Sequence, residues 1–412
     1  MRRTATACLV VAAALALPRT SRADVRVFTN PDPAADTLRS LDLYGWVQPR
    51  FSWQQTDTRP EVNLQPHPSF TLRRARLGGV AKVNEWLRAQ FELELSVGVE
   101  LYDAFLVAQP LPEIGASAGQ MRVPFSRQNM MSSRALQFPD MAYFIAPKFV
   151  VDRDIGAMLQ GKAWDGKVSY AAGVFNGNDP GRNQRDNNDD YLLFAARVEA
   201  TPFAPVPRFE GDLRSDDDRK KPALNVGVGA MHNRLEDKHF NRTYLGADLA
   251  FYFRGASLYA ELYGRRDADD SGAPTCSAGS PGWVFHDDTT AGRTCVTAVG
   301  WNVQAGYFPD LPFARDHVEL ALRVQRFDPV REVDKPQIGE RELEGTNPTW
   351  GYQGTTIGLN LYARRAHDAK LQASYEIRNE TKACLEGQGD GTHACTGHIR
   401  NNLFLLQATA AF

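Results

Sequence analysis

The sequence predicts an all-β protein, a transmembrane antiparallel β-barrel of about 16 strands with one long connection folded inward. Three observations predict it. Apolar and polar residues alternate along many stretches of about ten residues, the length at which a tilted strand crosses a bilayer. Long and short connections alternate between those stretches. No part of the 412-residue chain approaches the roughly 18 consecutive apolar residues of a membrane-spanning helix. The mean hydropathy of −0.40 does not oppose a barrel, because the lumenal half of each strand is polar.

The chain opens with an export signature over 1–23. Arg2 and Arg3 form a basic start, 8–17 an apolar run too short to span a bilayer, and Ser21, Arg22 and Ala23 a small-residue cleavage site before Asp24. Loss of that segment takes away four of the 47 Lys and Arg and none of the 49 acids, leaving a net charge of −6. That balance does not suit a nucleic-acid partner. Residues 24–40 are polar, carry Pro31 and Pro33, and read as an exposed periplasmic tail.

The barrel is expected over 41–412. Leu41, Leu43, Gly45, Val47, Pro49, Phe51 and Trp53 alternate with Asp42, Tyr44, Trp46, Gln48, Arg50 and Ser52, a period of two that places one face in an apolar setting. Sixteen such segments are expected, at 41–55, 68–82, 85–97, 99–109, 115–123, 154–164, 166–177, 190–201, 222–234, 243–253, 255–265, 298–309, 313–327, 350–363, 367–380 and 400–412. A soluble sandwich would alternate too, but its strands run to about 5–6 residues. Counted from a periplasmic N-terminus, the odd connections are mostly long and the even ones mostly short, with exceptions at Gly98 and 202–221. Outer-membrane barrels sort their loops this way and a sandwich has no reason to. The last segment places Phe404, Leu406, Ala408, Ala410 and Phe412 on one face, as a strand that closes a barrel and leaves no edge in lipid.

Between the fifth and sixth segments lies 124–153, about 30 residues with no clear period. Phe125, Phe138, Tyr143, Phe144 and Phe149 argue against disorder there. It reads as an ordered loop folded into the barrel mouth. With Arg122 just before it, the stretch holds Arg122, Arg127, Arg134, Lys148 and Arg153 against Asp140 and Asp152. These cations are the candidate constriction and anion-binding residues, since lumenal Arg and Lys replace part of the hydration an anion loses in a narrow channel. Arg50, Arg73, Arg88, Arg197, Arg265 and Arg323 fall at lumen-facing positions and would extend a cationic track. Glu92, Glu94, Glu199, Glu261, Glu319 and Glu376 face the same way, and local pairing with them would reduce selectivity.

Cys276, Cys295, Cys384 and Cys395 remain after export, and three pairings are open. Cys276–Cys295 and Cys384–Cys395 are favoured, each closing a short external loop in an oxidising compartment. A zinc site with His286, His393 and His398 is the rival, but the spacings miss the common structural-zinc patterns. No metal site and no cofactor is expected. The Asn- and Asp-rich run 178–190 lacks the Gly and terminal Glu of a calcium loop, and Asp216-Asp217-Asp218-Arg219-Lys220-Lys221 reads as a solvated turn. None of the eight His has an evident Ser–acid partner, so no catalytic residue is expected.

Several runs resemble the phosphate-selective porin O and P family. Phe70-Thr71-Leu72-Arg73-Arg74-Ala75-Arg76-Leu77-Gly78 is similar to that family's Arg-rich second strand, and Glu100-Leu101-Tyr102-Asp103-Ala104-Phe105 to its Asp-Ala strand. Arg122-Val123-Pro124-Phe125-Ser126-Arg127 and Ser132-Ser133-Arg134 resemble the start of its constriction loop. Arg153-Asp154-Ile155-Gly156 and Tyr170-Ala171-Ala172-Gly173-Val174-Phe175-Asn176-Gly177 are similar to the segments that follow. The resemblance implies a homotrimeric sixteen-stranded porin of the bacterial outer membrane. Lipid and lipopolysaccharide would surround it, and small anions, phosphate or polyphosphate among them, would permeate passively. This chain departs from the phosphate pattern in having only Lys148 in the loop and many lumenal acids. Two alternatives stand beside it: a general or weakly cation-preferring porin using Glu92, Glu94 and Asp103, and a non-conducting surface barrel.

Overall fold

The computed structural model describes residues 24–30, 38–55, 68–142, 151–177, 187, 190–235, 240–269, 295–312, 314–328, 350–382 and 401–412. Its strands are β1 (Asp24–Thr29), β2 (Ser40–Gln54), β3 (Ser69–Lys82), β4 (Leu87–Glu94), β5 (Glu100–Ala108), β6 (Gly115–Arg122), β7 (Arg153–Ala163), β8 (Val168–Phe175) and β9 (Leu193–Ala200). They continue with β10 (Ala223–Leu235), β11 (Phe240–Phe253), β12 (Ala256–Asp269), β13 (Cys295–Tyr307), β14 (Val318–Asp328), β15 (Trp350–Tyr362), β16 (Ala369–Lys382) and β17 (Leu403–Ala411). From β2 to β17 each strand pairs antiparallel with the next, and β17 pairs with β2, which closes a sixteen-stranded barrel.

The barrel is built inside out relative to a soluble protein. Arg50, Arg74, Glu92, Glu261, Glu319 and Arg323 are buried, whereas Leu106, Leu159, Val228, Leu245, Leu320 and Ile357 are exposed. Alternation sends the first set into the lumen and the second onto the outer wall, the arrangement that lipid demands. Several exposed aromatics lie near the strand ends: Trp53 and Phe70 at the long-loop end, Trp86, Trp164 and Tyr307 at the short-turn end. Amphipathic rings favour the two membrane interfaces in this way. Among the described residues no helix is long and apolar enough to cross a membrane.

Two features depart from the sequence expectation. Residues 24–29, expected as part of an exposed tail, form β1, which pairs with 40–44 of β2 on the edge that β17 uses from Trp46 onward. The connection 202–221, expected to include a solvated turn, turns inward instead. Asp217 and Lys220 are solvated as expected, but Glu210, Asp212, Arg214 and Arg219 are buried. Lys148, Cys276, Cys384 and Cys395 lie outside the described residues, as does the side chain of Cys295, and so do the expected disulfides.

Candidate functional site

The loop after β6 enters the lumen because its apolar residues find an apolar landing there. Phe125, completely buried, packs against Tyr244 and Tyr263 with ring centroids 6.2 and 5.5 Å away. The wall leaves room for it: a Cβ on Gly229 of β10 would stand 2.5 Å from the carbonyl oxygen of Phe125. One helical turn follows, Arg127–Met130, capped by Ser126, whose Oγ accepts from the Asn129 amide at 3.1 Å.

Buried wall carboxylates then anchor the loop by accepting hydrogen bonds from it. Glu261 of β12 accepts from Ser126 Oγ at 3.0 Å and from the Gln128 amide at 3.1 Å. Glu319 of β14 accepts from Gln137 Nε2 at 2.6 Å, while Asn360 and Gln372 donate to the Gln137 carbonyl at 2.8 and 2.9 Å. The inward connection 202–221 meets the loop from the other end of the barrel. Its Glu210 carboxylate accepts from Gln128 Nε2 and from the Gln137 amide, both at 2.7 Å, and its amide donates to the Ala135 carbonyl at 3.0 Å. His367 Nε2 donates to the Glu210 carbonyl at 2.9 Å and Lys370 donates to His367 Nδ1 at the same distance. Burial, and next the Lys370 charge, hold this imidazole well below the usual histidine pKa.

Four of the five candidate constriction cations, Arg122, Arg127, Arg134 and Arg153, lie among the described residues, on the loop or at its ends. Arg122 donates to the carbonyls of Asn129 and Met131, which braces the loop's start. Arg127 is 1% exposed and donates to Asn225 Oδ1 at 2.9 Å and to the Pro207 carbonyl at 2.6 Å. Arg153 is held by Asp103 at 2.7 Å and Asp152 at 2.8 Å, with Glu92 at 3.9 Å. Arg134 is half-buried in the short helical turn Ser133–Ala135. The guanidiniums of Arg122, Arg127 and Arg153 act as internal struts, because in a wall this rich in carboxylates and carbonyls a buried cation is cheapest when paired.

The track residues divide. Arg88 is exposed toward the short-turn end, and Arg265 is half-buried on β12. Arg197 is bound to Asp248 at 2.6 Å, to Glu199 at 2.7 Å and to the Phe125 carbonyl at 2.6 Å. Arg50, Arg73 and Arg323 converge on the loop tip at Pro139 and Asp140. Arg50 Nη1 donates to Asp140 Oδ2 at 2.7 Å, Arg73 Nη2 lies 3.4 Å from Oδ1, and Arg323 Nη1 donates to the Asp140 carbonyl at 2.9 Å. Burial raises the Asp140 pKa, but Arg50 and Arg74 outweigh it and hold the carboxyl well below its usual range.

Sequence reasoning missed Arg74 and Arg378 in this cluster. Arg74 Nη2 lies 3.3 Å from Asp140 Oδ1, beside Arg73. Strict alternation would point two successive residues to opposite faces. A bulge removes the conflict: Gln48 faces Arg74 and Pro49 faces Leu72, so Arg73 is the extra residue. Pro49 was the available signal, since proline within a sheet marks an edge or a bulge. Arg378, paired with Glu376 at 2.9 Å, lines a cavity beside the loop tip together with Arg73, Arg74 and Arg323.

Charge balance separates the lumenal clusters. Arg76 and Arg153 are outnumbered by Glu92, Glu94, Asp103 and Asp152. Arg197 and Arg208 balance Glu199 and Asp248. At the loop tip, Arg50, Arg73, Arg74, Arg323 and Arg378 stand against Asp140 and Glu376 among the described residues, a cationic excess.

A closed sixteen-stranded barrel, an inward loop and a cationic loop tip are features to set beside known families. Residues 47–205 match the family model described as phosphate-selective porin O and P. The match spans β2 to β9 and the inward loop, the part whose runs carry the resemblance seen in the sequence. Solved porin structures share the fold. The anion-selective porin from Comamonas acidovorans is 12% identical with a TM-score of 0.55, over 90% of this chain and 99% of that one. The outer membrane channel DcaP of Acinetobacter baumannii is 15% identical with a TM-score of 0.55, over 94% of this chain and 100% of that one. OmpT of Vibrio cholerae in its trimer form is 13% identical with a TM-score of 0.51, over 90% and 99%. At such identities these structures establish the fold alone. A search of curated proteins gave no significant match. The porin family match and porin fold together support an outer-membrane channel and point away from an enzyme.

Proposed function

We propose that the protein is a passive outer-membrane diffusion channel for small hydrophilic solutes that prefers anions, assembled as a homotrimer in lipid and lipopolysaccharide. In this reading 1–23 directs export and the long loops face outward. The observation that carries the anion preference is the excess of arginine over acid at the loop tip. In a narrow lumen a fixed cationic excess raises the local anion concentration and lowers the cost of partial dehydration. The family description and the anion-selective relative in fold lend support, and the trimer form of OmpT lends it to the assembly. The acids of the cation-preferring alternative, Glu92, Glu94 and Asp103, are engaged by Arg76 and Arg153.

The test is the reversal potential of the full barrel in a planar bilayer under a potassium chloride gradient. Wild type should prefer chloride, and Arg73→Gln with Arg74→Gln should lose most of that preference. A potassium preference in wild type would overturn the reading.

A further inference from the structure

Beside the loop tip lies a cavity of about 240 Å³ whose lining is mixed. Among the described residues, Arg73, Arg74, Arg323 and Arg378 line it with Asp140 and Glu376, a surplus of two positive charges. Its remaining walls include Phe138 and Met141 from the loop and Leu403 and Leu405 from β17. Glu376, Arg378, Leu403 and Leu405 belong to the halves of β16 and β17 nearer the long loops, so the cavity is on that side of the constriction. Leucines at these inward positions interrupt the polar lining that β17 continues with Gln407 and Thr409, both buried.

Arg323 carries the second observation. It is 4% exposed, and its guanidinium lies 4.6 Å from the centroid of the Phe138 ring. Nη1 donates to the Asp140 carbonyl, yet Nε has no acceptor among the described residues. Held between the loop and the β14 wall in this way, Arg323 presents a fixed positive charge to the cavity.

Resting on the anion-channel reading above, we propose that this cavity is a transient binding stop for small monocarboxylates with an aromatic or branched apolar body. The arginines receive the carboxylate. Phe138, Met141, Leu403 and Leu405 receive the body. Size agrees, because a dry apolar cavity of about 150 Å³ already holds benzene. Inorganic phosphate would use the charges but leave the leucines against water. A neutral aromatic would use the leucines but leave the arginines unmet.

The test uses the full-length barrel in planar bilayers, with sodium benzoate, sodium acetate, inorganic phosphate and neutral benzamide as current blockers. Benzoate should half-block at a concentration about tenfold or more below acetate and phosphate, with benzamide inactive. Leu403→Asn with Leu405→Asn should bring benzoate to within about threefold of acetate. A heat-modifiable gel shift like that of wild type would show an intact barrel in that variant, and Arg323→Gln serves as a second variant that should weaken benzoate block. Equal block by benzoate and acetate in wild type, tighter block by phosphate, or an undiminished ratio in both variants would overturn the proposal. Chloride preference without benzoate discrimination overturns this inference alone. Potassium preference overturns the channel reading with it.

Discussion

Arg50 and Asp140 fasten the barrel seam to the tip of the loop that crosses it. Nη1 of Arg50 donates to Oδ2 of Asp140 at 2.7 Å, while Nε and Nη2 donate to Gln407 Oε1 at 2.9 and 2.7 Å. One guanidinium thus spans loop, β2 and β17. Asp140→Asn should keep the loop's shape better than alanine and remove one negative charge from the cationic cluster. The chloride-to-potassium permeability ratio should rise by up to about fivefold, the worth of one charge at about 4 Å in a watery lumen. An unchanged reversal potential would place the cluster off the ion path.

The same carboxylate sets an expectation for pH. Asp140 titrates below its unfolded value in the folded protein. Its contribution to stability is therefore fully present above about pH 4, and is lost as pH falls from there toward its depressed folded pKa. Selectivity governed by this pair should stay flat from about pH 7 to pH 4 and change only in stronger acid. Reversal potentials across that range check it.

Arg153 offers a contrast. It is 2% exposed and paired with Asp103 and Asp152. Arg153→Ala should cost stability by about 3–5 kcal/mol, since uncompensated carboxylates are left behind. Part of any selectivity change would then come from those acids, so the Asp103→Asn partner variant is needed. In the double variant, thermal unfolding followed by circular dichroism should recover part of the loss, and anion preference should match wild type.

Glycine 306 tests how the loop is seated. A Cβ there would overlap Gln137 Nε2 and stand 2.6 Å from Glu319 Oε1, the pair that anchors the loop to β14. Gly306→Ala should destabilise by about 1–3 kcal/mol through overpacking. It should also replace steady single-channel current by fluctuating current. Steady current at wild-type conductance would show that the anchor is dispensable.

Glu210→Ala addresses the second inward segment. It removes the acceptor shared by Gln128 Nε2 and the Gln137 amide, each at 2.7 Å. Leaving those buried donors unmet should cost about 1–3 kcal/mol each. Current noise should rise, and Glu210→Gln, which retains an acceptor oxygen, should restore part of the quiet.

The barrel was legible in the sequence because lipid and water write themselves on a strand every second residue. The expected segments 41–55, 68–82, 115–123 and 350–363 correspond to Ser40–Gln54, Ser69–Lys82, Gly115–Arg122 and Trp350–Tyr362. The inward loop was legible from its length and aromatics. Its route was not, because it depends on partners far along the chain, such as Gln137 with Glu319 and Asn360. Pairing was illegible for the same reason: Arg127 and Arg323 look alike in sequence, yet one braces the Pro207 carbonyl and the other borders a cavity. β1 escaped notice because its ladder with β2 needs no alternation of its own, and Val25, Val27 and Phe28 stay exposed.

The β2–β17 seam carries a consequence for how the chain reaches its shape. Gln48 and Thr409, joined side chain to side chain at 3.0 Å, are 361 positions apart. Gly45 and Phe412 exchange two backbone hydrogen bonds. Such contacts cannot reward the chain until nearly all of it has emerged, and closing so large a loop is entropically slow. During that wait β2 exposes an unsatisfied edge, an invitation to aggregation. β1 already covers the 40–44 portion of that edge from a few residues away. It would therefore act early as a lasting guard on that portion, which a refolding time course with residues 24–30 deleted would reveal as faster loss to aggregates.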